Sequence, residues 1–170
     1  MVKTPFCQFD LRTGVLCYKC QKMIEEGKYS ELDFEVARCL SELENKGYSL
    51  IKNMEFLKAY EKSGFLIILM ANGSIDRGDL AKLEKEVKTK LRAIRPRYVK
   101  MIIKRRTERS IIEQIIQPAR LLSLNIAWFP DGSSQYSIKV YPSVKRMYIP
   151  KGIVESILKE IFHREVIIEA

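Results

Sequence analysis

Residues 65–70 (FLIILM) are six consecutive apolar positions with no polar interruption. A half-solvated strand alternates apolar and polar side chains, so a strand without a polar side has to be covered on both faces. Ser63-Gly64 precedes the run as a two-residue turn signal and predicts a hairpin with an earlier strand over residues 51–60. The chain therefore has to build a sheet with FLIILM inside it, and a fold made of helices alone is excluded.

The flanking sequence supplies the cover. Ser30 with Asp33 three residues on has the form of an imperfect capping box. Leu32, Val36, Cys39, Leu40 and Leu43 share the following helical face, which Gly47 ends. After the sheet, the polar stretch 71–79 (ANGSIDRGD) opens a helix over 80–91 with Leu80, Leu83, Val87 and Leu91 on one side. Arg95-Pro96 closes it, because proline disfavours helix in the residue before it. Residues 98–104 (YVKMIIK) read as a third strand. Its alternation points Tyr98, Lys100, Ile102 and Lys104 outward and Val99, Met101 and Ile103 to the core.

The order α-β-β-α-β then recurs. A helix over 108–116 precedes strands over 122–129 and 135–141, joined by a PDGSS turn. A helix over 150–162 starts at Pro150, and a strand over 166–168 follows. The fold class expected is α+β, with two tandem units over 29–106 and 107–170 whose small sheets are covered by helices. Identity between the halves is slight, so the repeat is one of element order.

Residues 1–28 are short on hydrophobic periodicity and hold three of the four cysteines, which suggests a separate small segment with little core of its own. Their spacing is C-x2-D-x6-C-x2-C, from Cys7, Asp10, Cys17 and Cys20. Two ligand pairs across a short loop suit a tetrahedral structural zinc knuckle, with Asp10 as the harder fourth ligand. Gly14 suits the turn between the pairs. Cys39 competes for the fourth place, although a thiol on an apolar helix face more often behaves as a small hydrophobe. Reduced thiols without metal, or a disulfide, are the alternatives.

Charge is the other strong signal. Residues 92–109 carry eight Lys or Arg and one acid, Glu108, whereas residues 21–47 hold seven acids and four bases. Solvated lysines and arginines explain scattered charge, but a lopsided run is the footprint of a surface that meets a polyanion such as RNA. Arg92, Arg95, Arg97, Lys100, Lys104, Arg105, Arg106 and Arg109 form this group. Lys139, Lys145, Arg146 and Lys151 form a second, interleaved with Tyr136, Tyr141 and Tyr148, whose rings can stack on bases or pack over the sheet.

The segments 7–21 (CQFDLRTGVLCYKCQ), 31–44 (ELDFEVARCLSELE) and 117–132 (QPARLLSLNIAWFPDG) resemble archaeal NusA-like KH-domain proteins. In that group a cysteine-pair element precedes KH (type II) folds of the prokaryotic α-β-β-α-α-β order. The resemblance implies RNA binding without catalysis, as a transcription factor or a ribosome constituent. It also implies a GxxG loop that brings backbone close to phosphates. The nearest match is Asp76-Arg77-Gly78-Asp79, where Arg77 and Gly78 fit and the two acids oppose phosphate.

An enzyme is not expected. The single histidine, His163, gives no base for a triad, and no carboxylate cluster suggests a metal pair. The competing class is a protein-interaction module that docks on RNA polymerase or a ribonucleoprotein. No run of about 18 apolar residues is present and the N-terminus lacks a signal-peptide core, so a cytoplasmic location is the expectation.

Overall fold

The computed structural model describes residues 1–91 and 94–170. The fold is α+β: among the described residues, six α-helices accompany two separate three-stranded sheets. The chain divides into two compact units, Met1–Tyr60 with Leu66–Ile103, and Glu61–Phe65 with Lys104–Ala170. The boundary thus falls at 103/104, three residues before the 106/107 expected. No described helix is long and apolar enough to cross a membrane.

In the first unit, α1 (Gln8–Thr13), α2 (Tyr18–Glu25) and α3 (Glu31–Asn45) precede a sheet of β1 (Glu55–Lys62), β2 (Phe65–Ala71) and β3 (Tyr98–Ile103), in that order across the sheet. Helix α4 (Arg77–Lys90) links β2 to β3. Ser63 and Gly64 both take positive φ, 52° and 87°, the backbone that a tight two-residue hairpin turn requires. Strand β1 starts later than the pattern suggested, because Ser49–Ile51 tightens into a 3-10 turn that buries Ile51.

The capping box at α3 is complete. Ser30 Oγ accepts the Asp33 N–H at 3.2 Å, and Asp33 Oδ2 accepts the Ser30 N–H at 2.8 Å. Asp33 is fully buried, and its other oxygen accepts the Ala59 N–H at 2.7 Å. One carboxylate therefore starts the helix and ties it to β1.

Residues 1–28 are not a separate segment. Val2, Phe6, Leu11 and Cys20 are buried in the core that α3, β2 and β3 also fill. Phe6 packs edge-on against Phe34 and Tyr29, with ring centroids 5.3 and 5.6 Å away. Lys3 bridges to the strand start beside it: its N–H reaches the Met54 carbonyl at 2.9 Å, and its carbonyl accepts the Phe56 N–H at 2.8 Å. Two short helices hide the periodicity that a longer one would have displayed.

Strand β3 also departs from the expected alternation. Ile102 is fully buried, as are Met101 and Val99 on the other side, because both faces of this sheet are covered. Lys100 is half-buried instead of presented outward.

In the second unit, α5 (Glu108–Ile115), β4 (Arg120–Trp128), β5 (Ser134–Tyr141), α6 (Lys151–Phe162) and β6 (Glu165–Glu169) follow the expected order. Central β5 pairs antiparallel with β4 and parallel with β6. Tyr136, Ile138 and Val140 alternate inward along β5, with Val166 and Ile168 beside them on β6. His163 ends α6 in the left-handed conformation, at φ 55°.

Replacing Asp33 by Ala removes the return bond of the capping box and leaves a buried N–H at Ala59 unpaired. Urea unfolding is expected to show a loss of about 2–4 kcal/mol.

Candidate functional site

Cys7 and Cys17 each precede a helix with extended backbone, as the N-caps of α1 and α2. The residue three positions on, Asp10 in α1 and Cys20 in α2, returns to the same side of the helix start. Two helix starts of identical spacing therefore present four ligand atoms to one point. Gly14, which ends α1, has φ 76°, and a Cβ there would lie 2.8 Å from Nη1 of Arg38. Glycine is needed at this place both for the turn and for the close approach of the guanidinium.

The three sulfurs and an Asp10 oxygen all lie within 4.8 Å of one another. Cys7 Sγ is 3.7 Å from Cys17 Sγ and 3.9 Å from Cys20 Sγ. A tetrahedron with metal–sulfur bonds of about 2.3 Å has an edge of about 3.8 Å, so the thiol spacing matches one small ion. Asp10 is fully buried; its Oδ2 accepts the Cys17 N–H at 2.9 Å, while Oδ1 has no hydrogen-bond partner. A buried carboxylate oxygen left without a partner is costly unless something outside the protein meets it. These four residues fit a tetrahedral metal.

Their protonation fits as well. Burial works to raise the Asp10 pKa, but the Cys17 N–H and the neighbouring thiols favour the ionised form and prevail, holding it well below the usual carboxylate range. The Asp10 carboxylate in turn raises the Cys7 thiol, with burial adding to it. Burial first, and then Asp10, push Cys20 up to about 12. All four cysteines are free thiols. Cys39 stands outside the cluster, buried on α3, where burial pushes it up to about 12.

The expected RNA-binding residues are spread over both units. Arg77 and Gly78 occupy the first turn of α4, where Asp76 is the N-cap and accepts the Gly78 N–H at 3.1 Å. This is a strand-to-helix turn and not a loop between two helices. Arg92 lies outside the described residues. Arg95 and Arg97 are exposed, Arg95 with φ 46°. Lys100 sits beside Glu84, whose carboxylate accepts the Met101 N–H at 2.8 Å and whose pKa is raised by burial.

The basic run is cut by the unit boundary, and Lys104, Arg105, Arg106 and Arg109 belong to the second unit. Every residue from 104 to 109 is exposed. Arg109 pairs with Glu113 at 2.9 Å. Lys139 is exposed on β5, and Lys145 and Arg146 on a 3-10 turn. Lys151 opens α6, 3.9 Å from Glu155. Of the three tyrosines, Tyr136 is buried and its hydroxyl donates to Glu108, so its ring belongs to the core; Tyr141 and Tyr148 are exposed.

Among the exposed aromatics that the sequence reading did not single out, Trp128 has a cationic partner. Trp128 ends β4 and is 67% exposed, with the Arg164 guanidinium 5.6 Å from its ring centroid. Its place at the end of β4, one residue short of the PDGSS turn, was the available signal.

Metal ligation requires thiolates, and the Cys7 and Cys20 thiols are held neutral at pH 7. Loading a divalent ion is therefore expected to displace about two protons or more, so that apparent affinity falls as pH falls, by about tenfold per unit for each proton. Calorimetric titration in buffers of different ionisation enthalpy measures the number released.

No family model matches the chain, and no curated protein matches it. Among solved structures, the chain is similar to the one described as "Crystal structure of APE1850". The two share 21% identity over 73% of this chain and 94% of that one, with a TM-score of 0.50. At that identity the likeness speaks to the fold alone, and it agrees with an α+β architecture.

Proposed function

We propose that this protein is a non-catalytic RNA-binding protein with two KH-like units, which grips structured RNA by its phosphates and carries a structural zinc at Cys7, Asp10, Cys17 and Cys20. It acts as a NusA-like transcription factor or as a constituent of the ribosome. The observation that carries the reading is the exposed stretch Lys104, Arg105 and Arg106. Several surface cations elsewhere are paired, such as Lys22 and Lys28 with Glu26, Lys159 with Glu165 and Arg109 with Glu113, and others stand singly. Among the described residues these three adjacent cations make no ion pair. Three unneutralised charges side by side suit a polyanion.

The KH part of the reading is supported by the element order α-β-β-α-β in each unit, with one helix where the prokaryotic KH order has two. That difference removes the loop in which a GxxG would stand. Phosphate contact passes to side chains, and contacts to phosphate position a protein without reading sequence. Zinc is the ion that a site of three thiolates and one carboxylate suits best, because soft sulfur donors and tetrahedral geometry both favour it.

A second reading, a module that docks on a polymerase or ribonucleoprotein, is favoured by exposed apolar side chains on and after β4: Leu122, Ile126 and Phe129. Nuclease treatment before pull-down separates direct protein contact from capture through RNA.

Filter binding to a structured RNA across a salt series tests the main reading. Log affinity is expected to fall with log salt at about −0.9 per phosphate neutralised on a duplex. An Arg105→Glu, Arg106→Glu variant is expected to bind about tenfold or more weakly, with a shallower slope. Equal and salt-insensitive binding by both proteins refutes it. Elemental analysis should find one zinc per chain in the wild type, and Asp10→Ala and Cys20→Ala variants are expected to lose it.

A further inference from the structure

The single tryptophan of the chain is both exposed and held in place. Arg164 lies over Trp128 on one side and over the Tyr136 ring on the other, 5.6 and 5.2 Å from the two centroids. Its Nη1 donates to the Tyr136 hydroxyl at 3.2 Å, and that hydroxyl donates to Glu108. Tyr136 is itself buried and packs edge-on against Phe162 at 5.4 Å. A chain of contacts from the core thus fixes the guanidinium, and the guanidinium orients the indole. Ordering a large ring at the surface has an entropic cost, which the contact with a fixed guanidinium offsets.

Beside the ring runs an open groove of about 920 Å³, within the size range of small-molecule sites. Ser133, Ser134 and Ser156 line it. Hydroxyls both donate and accept, so Ser134 and Ser156 can meet the edge of a base, while Ser133, whose hydroxyl already donates to Asp131 at 2.6 Å, can accept; an apolar peptide side chain would strip them of water without return. The charges at its rim are largely answered, since Lys159 pairs with Glu165 at 2.5 Å. The groove therefore offers an aromatic face and serine hydroxyls, with charges of both signs at its rim, Glu160 and Arg164 among them, in place of a purely basic phosphate cradle.

We propose that Trp128 is a stacking platform for one unpaired base of bound RNA, with the serine-lined groove receiving the base edge. The inference rests on the RNA-binding reading and adds to it a contact of different chemistry, located away from the Lys104–Arg106 cations in sequence. Purines present the larger π-face, so an adenine is held more tightly than a uracil.

The lone tryptophan gives the test its own signal. Single-stranded oligoadenylate is titrated into the full chain while tryptophan emission and affinity are followed. Saturable quenching is expected, weaker with oligouridylate. Trp128→Ala is expected to weaken binding about 5- to 150-fold, the range for one lost base–aromatic stack, with the salt slope unchanged because no phosphate contact is lost. Trp128→Phe keeps a ring and is expected to retain most of the affinity; a thermal melt like that of the wild type shows that neither variant is unfolded. If RNA binds and Arg105→Glu, Arg106→Glu weakens it while Trp128→Ala is neutral or the emission stays still, the stacking platform is overturned and the RNA reading survives. If the wild type binds no RNA, both fall.

Discussion

The first unit is arranged around a strand that has no polar side. Leu66, Ile68 and Met70 of β2 face one core, and Ile67 and Leu69 are buried on the opposite face. Each fully buried side chain of this size is worth about 1.5–3 kcal/mol only if something covers it. On the first face the cover is α3, through Val36, Ala37, Leu40 and Leu43, together with Val2, Phe6 and Leu11 from the N-terminal residues. The cysteine-bearing segment is thus tied to the sheet by apolar burial. Cys20 belongs at once to that core and to the ligand cluster, so packing places one sulfur before any ion arrives.

This arrangement bears on how a bound ion would act. A free-standing knuckle has no fold without its metal, and the whole binding energy appears as folding energy. Here the helix starts are already set by the core, by the Cys17 N–H to Asp10 bond and by the Gly14 turn over Arg38. The ion would supply what the frame leaves undone: it would meet Asp10 Oδ1 and replace the protons of thiols that the same carboxylate keeps neutral. The frame presents four ligand atoms to one point and leaves one buried carboxylate oxygen without a protein partner.

Local chemistry was legible in the sequence wherever a rule acts over a few residues. Ser30 and Asp33 gave the capping box, Ser63-Gly64 the hairpin, and the C-x2-D and C-x2-C spacings the ligand cluster. What lay hidden depended on packing at a distance. Residues 1–28 looked coreless because helices of six and eight residues are too short to display a period. Ile102 was assigned to a solvent face because alternation tells which side a residue takes and not whether that side is covered. Of the two readings open for Tyr136 the packed one holds, since its ring is core, while Trp128, to which the sequence reading gave no role, lies outside.

The two contacts proposed for RNA differ in kind, and the fold explains why both would be needed. Adjacent cations at Lys104, Arg105 and Arg106 stand within a Debye length of about 8 Å, so they repel one another until an anion intervenes. Phosphates relieve that repulsion, and arginine can do so with two parallel hydrogen bonds where lysine offers a point charge. Such contacts are strong at low salt and indifferent to base identity. With Asp76 capping α4 where a glycine loop would otherwise present backbone N–H groups, nothing in that turn brings a base to a fixed position. A ring anchored through Arg164 and Tyr136 to Glu108 would do so by shape and π-surface, with little dependence on salt. The charge would govern how fast and how far RNA is drawn in, and the indole would govern how it is held once there.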